Sequence, residues 1–181
     1  MIPSLQPTLD PTDVPAPPGF EPAEDVEWAR LDRNVRSLPS RGGSTAQKVG
    51  IRYEKTVQEY LSERFGEKYL DNPWYSFRDY SGSRRCRPDG VLFTQSSFGR
   101  NLAVIFEIKI RHMPDAWWQL RRLYEPVVRA TAQYRDIRLV EIVKEFDPSM
   151  PFPEVPVILE TLDEVWLLKD FSSIGVFLWK R

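Results

Sequence analysis

The apolar positions of this chain switch between two periods, and the switches outline its elements. Val49, Tyr53, Val57, Tyr60 and Leu61 recur at helical spacing, so the pattern predicts a helix over 45–65, stopped by Gly66. Residues 74–77 read as a short strand, 80–83 as a loop and 91–94 as a second strand. Gly99, Arg100 and Asn101 read as a turn. Residues 102–110 form a long apolar run interrupted only by Glu107 and Lys109, the pattern of a central buried strand. Pro114 suits the first turn of a helix carrying Trp117, Leu120, Leu123, Tyr124, Val127 and Val128. Pro126 falls inside that pattern and predicts a kink or break. Trp117 and Trp118 are adjacent, so one helix is expected to bury one of them and expose the other. Residues 137–143 and 174–179 read as strands, and 155–168 fits either a strand or a helix. The expected fold class is α/β: one mixed central β-sheet flanked by helices.

The N-terminal region follows a different rule. Seven prolines lie within residues 1–27, and Phe20 is the large apolar residue of its latter half. Each proline fixes φ and removes a donor, so residues 1–44 are expected to form an extended or disordered arm. Within it a short helix is expected over 24–35. Pro39 and Arg41-Gly42-Gly43-Ser44 then break the chain before an α/β domain over 45–181. The arm either stays free or orders on a partner subunit, with Phe20 and Trp28 as anchors.

Charge sharpens the division. Asp10, Asp13, Glu21, Glu24, Asp25 and Glu27 carry six negative charges in a stretch without Lys or Arg. Removing them from the formal net charge of -1 leaves residues 28–181 at +5, a balance compatible with nucleic acid. The single Cys and single His exclude a disulfide framework and a Cys- or His-based zinc site. A metal would be held by oxygen ligands, hence a hard cation such as Mg²⁺ or Mn²⁺. No apolar run is long enough to cross a membrane and no signal peptide is recognisable, so a soluble cytoplasmic protein is expected.

The polar residues inside the central strand carry the chemistry. Glu107 and Lys109 are two apart and share one face, whereas Ile108 and Ile110 share the other. Buried charges are costly unless paired or metal-bound. Asp89 sits in Arg87-Pro88-Asp89-Gly90, leading into the strand at 91–94. A hairpin between that strand and 102–110 would bring Asp89 and Glu107 together. Two carboxylates and the Ile108 carbonyl are suitable Mg²⁺ ligands. Lys109 beside them would orient an attacking water, or help deprotonate it, and stabilise charge on a phosphate.

Pro88-Asp89 followed by Glu107-Ile108-Lys109 resembles the signature of the PD-(D/E)XK nuclease superfamily. The resemblance implies a core in the order α-β-β-β-α-β, which residues 45–143 match. It implies hydrolysis of DNA phosphodiester bonds, with Asp89 and Glu107 on Mg²⁺ (Mn²⁺ substituting) and Lys109 positioning the nucleophile. Many members carry a carboxylate on the first helix shortly after a Gly. Gly50-Ile51-Arg52-Tyr53-Glu54 looks similar and makes Glu54 a further site candidate. Some branches add a Gln and a Tyr on the helix after the Lys. Gln119 and Tyr124 look like these, at a spacing one residue longer than in the RecB-like branch.

Arg84, Arg85 and Arg87 would then grip the DNA backbone, and Arg111, His112, Arg121 and Arg122 would continue a basic rim. A resolvase-like enzyme would be expected to form a homodimer. The competing expectation is a nuclease-like fold used for assembly or nucleic-acid binding in a phage or mobile element, its arm docked on a neighbouring protein. Cys86 is expected to be structural.

Overall fold

A computed structural model of the chain describes residues 16–32, 43–111, 113–131, 136–145, 163–169, 171 and 175–179. The chain is a mixed α/β protein with two sheets. The elements are β1 (Trp28–Asp32), α1 (Thr45–Phe65), β2 (Tyr69–Asp71), β3 (Trp74–Asp79), β4 (Gly82–Cys86), β5 (Gly90–Gln95), β6 (Asn101–Arg111), α2 (Pro114–Trp118), a π-helical turn (Gln119–Tyr124), α3 (Glu125–Ala130), β7 (Asp136–Glu145), β8 (Asp163–Leu167) and β9 (Gly175–Trp179). The larger sheet runs β2-β5-β6-β7-β8-β9, and a smaller antiparallel sheet runs β1-β3-β4. In the larger sheet β6–β7 and β7–β8 are parallel and the remaining pairs antiparallel. Among the described residues no helix is long and apolar enough to cross a membrane.

Helix α1 covers the range that its periodicity predicts. Ser44 caps it reciprocally with Gln47, each satisfying a backbone N–H of the other, and Gly66 ends it at φ 57°. Its buried Tyr53, Val57 and Leu61 lie on one face of the large sheet, against Val104, Phe106, Ile108, Val140 and Ile142. The opposite face, with Ala103, Ile105, Leu139 and Val143, is covered by the helical run 114–130 and by the small sheet, through Phe77, Tyr75, Trp117 and Leu120. Strand β6 is thus enclosed on both sides, as its near-continuous apolar run requires.

Four expectations need correction. The short helix expected over 24–35 is in part β1, which pairs with β3 from Trp28↔Arg78 to Asp32↔Trp74; residues 33–35 lie outside the described set. The loop at 80–83 is tighter than expected, because Gly82 at φ 110° already starts β4. Both Trp117 and Trp118 are buried. Both join one core cluster, and Phe20 of the arm also packs edge-on against Trp118 with ring centroids 6.5 Å apart. Lastly, the one central sheet expected is two: the strand expected at 74–77 is β3, which pairs with β1 and β4 in the smaller sheet. The defect expected at Pro126 is present, as the π turn that divides α2 from α3.

The accommodation of Pro126 has a direct cause. Proline offers no N–H to the carbonyl four residues back, that of Arg122. The backbone instead widens into the π turn, whose Glu125 N–H bonds to the Leu120 carbonyl. The Arg122 carbonyl is taken by the Ala23 N–H at 2.8 Å. Residues 16–32, within the expected arm, therefore lie against their own domain. Of the segment 155–168, residues 163–167 are a strand and 155–162 lie outside the described residues, as do Pro39, Arg41 and Gly42.

Candidate active site

Asp89 lies just before β5, and its position is fixed from three directions. Its carbonyl accepts from the Asn72 N–H at 3.0 Å and from the Gln58 amide at 3.2 Å. Its carboxylate accepts from the Ile108 N–H at 2.7 Å. The N–H and C=O of one strand residue point to the same side, so the Ile108 carbonyl also faces the Asp89 side of β6. Gly90 follows because Tyr69 lies over it: a Cβ there would stand 2.4 Å from the Tyr69 hydroxyl. The Gly of Pro-Asp-Gly thus serves strand packing, with no positive φ involved.

Glu107 and Lys109 share one face of β6, as the period of two requires, and the Lys109 ammonium donates to Glu107 at 2.5 Å. The second oxygen of Glu107 is buried and has no partner among the described residues. Burial raises the Asp89 carboxyl well above the usual range, and Glu107 and then Glu54 add to this against the Ile108 N–H and Lys109. Burial likewise raises Glu107, with Lys109 opposing and Glu141 and Glu54 adding. Burial alone would lower the Lys109 ammonium, but Glu107, Asp89 and Glu141 hold it above its ordinary value. With both carboxylates beside it, the Lys109 ammonium is thus favoured in its charged, donating form.

Asp89, Glu107 and Lys109 line one cleft of about 560 Å³ together with Gln119 and Tyr124. In an α-helix a five-residue spacing would rotate these two side chains apart. The π turn from Gln119 to Tyr124 absorbs the extra residue, so both reach the same cleft. Burial, with Glu107 and Asp89 nearby, raises the Tyr124 phenol well above its ordinary value, so it stays a neutral hydroxyl. The Gln119 side-chain oxygen is buried without a partner among the described residues.

Glu54 is placed differently. It accepts from Gln58 at 3.1 Å and lines an adjoining groove of about 380 Å³ on the other side of Lys109, together with Gln47 and Gly50. It acts on Asp89 and Glu107 through its charge.

The arginines are largely committed elsewhere. Arg84 lies on β4, pairs with the buried Asp79 and with Glu21, and stacks on Phe77. Arg85 faces Asp32 at 4.0 Å. Arg111 pairs with Glu145, Arg121 with Glu125 and Arg122 with Glu24. Arg87 stacks on Trp74 at 5.3 Å and has no carboxylate partner among the described residues. Arg84 and Arg121 are mostly buried in their pairs, whereas Arg85, Arg111 and Arg122 keep exposed side chains whose surface pairs are weak, two of the five being met by acids of the arm. His112 lies outside the described residues.

One residue of this site was missed in the sequence. Glu141 is fully buried in β7, in register with Glu107, and accepts from the Met113 N–H at 3.0 Å. The signal was the same as for Glu107: a lone carboxylate inside an apolar strand.

Among the described residues no three Asp, Glu, His or Cys side chains gather as a metal site. The donors near one another are two carboxylates and the Ile108 carbonyl. All are hard oxygens, one carboxylate oxygen is without a partner among the described residues, and both acids are raised by burial, Asp89 further by Glu107. This set fits Mg²⁺, which commonly takes one or two carboxylates and keeps several waters. No family model, curated protein or solved structure matches the chain.

Proposed function

We propose that this protein is a metal-dependent DNA endonuclease of the PD-(D/E)XK type. The observation that carries the reading is the convergence of Asp89, Glu107 and Lys109 on one cleft, with both acids destabilised as anions. Burying two carboxylates side by side costs stability, and a divalent cation would relieve that cost. The order α1, then the hairpin β5–β6, then the helical run and a parallel β7 supports the finer fold assignment.

Asp89, Glu107 and the Ile108 carbonyl would hold the cation. When bound, it lowers the pKa of water and neutralises charge on phosphate. Lys109, kept as an ammonium, orients the attacking water and donates to a phosphate oxygen. Tyr124, kept as a phenol, donates a second hydrogen bond. Asp89 is prevented from turning away by the Ile108 N–H.

The test is cleavage of supercoiled plasmid and oligonucleotides with Mg²⁺, Mn²⁺ or EDTA, for wild type, Lys109→Ala and Asp89→Asn. Loss of a preorganised charge donor typically costs ~10²–10³ in rate, which is the expected fall for Lys109→Ala. A second readout is the midpoint of unfolding, which Mg²⁺ should raise in wild type and leave unchanged in Asp89→Asn. No cleavage and no metal response in wild type would leave the alternative, a nuclease-like scaffold for assembly.

A further inference from the structure

We propose that the cleft receives a single unstacked nucleotide, so that the substrate is single-stranded DNA, as an end, a flap or a gap, and closed duplex is excluded. The inference rests on the nuclease reading and names its substrate. Its first support is where the acids lie. Asp89, Glu107 and Lys109 line the cleft together with Trp74 and Arg87 of the small-sheet side and Phe20 of the arm. A cleft of about 560 Å³ lies within the ~300–1,000 Å³ that takes a compact organic ligand. A mononucleotide is of that size, whereas a duplex presents its phosphates on a much wider cylinder.

The second support is charge. Duplex binders neutralise many phosphates at once, commonly ~6–10 contacts. Here Arg84, Arg85, Arg111, Arg121 and Arg122 each face a carboxylate. Glu21 and Glu24 of the arm supply two of those partners, and Glu27 a third carboxylate at Arg78. Among the cations that line the cleft, Arg87 has no carboxylate partner among the described residues, and Lys109 is held by Glu107 at the acids themselves.

The third support is the lining. Arg87 stacks on the half-buried Trp74, and the indole N–H of Trp74 has no partner among the described residues. An aromatic platform carrying a guanidinium is the ordinary means of holding a base by its face. Gln119, buried and with an unpartnered amide oxygen, offers an acceptor to the same occupant. Trp74 and Gln119 would thus read the base while Arg87 holds its phosphate.

The experiment measures binding and cleavage separately on the full chain. Fluorescence anisotropy in Ca²⁺ would compare a fluorescein-labelled oligothymidylate with a blunt duplex of equal length. The expected result is at least tenfold tighter binding of the single strand, with a shallow salt dependence of about one or two released counterions. Trp74→Ala should weaken single-strand binding by about tenfold, and Trp74→Phe, which keeps a stacking face, should restore most of it. In Mg²⁺ a flap or overhang should be cut and the blunt duplex left intact. Equal or tighter duplex binding, or an unchanged affinity in a folded Trp74→Ala, overturns the proposal. Loss of all cleavage with the single-strand preference retained would sink the nuclease reading and leave the nucleotide cleft standing.

Discussion

Arg84 separates a structural arginine from a DNA contact. Its guanidinium pairs with Asp79, whose side chain is fully buried, and donates to the Pro22 carbonyl at 2.5 Å. It also reaches Glu21 at 3.3 Å and lies 5.0 Å over Phe77. Arg84→Ala would leave the Asp79 carboxylate with the Ser81 N–H at 3.0 Å as its remaining hydrogen bond. Removing one partner of a buried pair costs about 3–5 kcal/mol, whereas an exposed pair such as Arg84–Glu21 is worth about 0–1 kcal/mol. The buried pair dominates, so the expected loss is about 4 kcal/mol. For a chain of this length that lowers the melting temperature by about 8–16 °C.

The assay is urea unfolding followed by tryptophan fluorescence and circular dichroism. Asp79→Ala and the double variant close a thermodynamic cycle. The double variant should recover part of the loss, because Asp79 is then no longer buried unpaired, while the Arg84 contacts with Phe77 and Pro22 stay lost. A loss below about 1 kcal/mol for Arg84→Ala, as for an exposed pair, would refute the reasoning. It would do so most clearly if DNA affinity fell at the same time, since Arg84 would then be the phosphate contact its sequence context suggests.

Asp89→Asn should stabilise the metal-free protein while abolishing cleavage. The folded-state carboxyl is raised, so its native state is at full advantage below an unfolded value of ~3.9 and loses stability as pH climbs toward the folded value. The amide does not ionise, so its lead over wild type in EDTA should open above about pH 4 and widen on going to neutral pH; a constant gap would count against buried ionisation. Gly90→Ala puts a methyl against the Tyr69 ring and should cost about 1–3 kcal/mol in urea unfolding. An unchanged midpoint would mean that the ring yields freely. Burial pushes the Cys86 thiol up to about 12, so iodoacetamide at pH 8 should leave native protein unlabelled and modify one thiol in urea. Fast native labelling would contradict the packing around β4.

What the sequence made legible follows a physical divide. Helix α1 was readable from its period and its own cap and stop signals, and strands β5, β6 and β7 from short or near-continuous apolar runs bounded by polar residues. Glu107 and Lys109 stood out because charges inside an apolar strand demand an explanation, and Glu141 would have stood out by the same test. The failures concern features that depend on partners distant in sequence. Nothing local distinguishes the Arg84 that meets buried Asp79 from a solvated one. Nor does Trp28–Asp32 look like a strand until β3 offers it an edge. The helix at 114–130 joins both kinds. Pro126 was rightly noticed as a defect, but its consequences are a π turn and a vacated carbonyl at Arg122. The turn brings Gln119 and Tyr124 onto one cleft despite their spacing. The carbonyl receives Ala23, which holds the arm where Phe20 packs against Trp118 and lines that same cleft. One proline thus links the register of the site residues to the docking of the arm, and neither consequence is visible without the other.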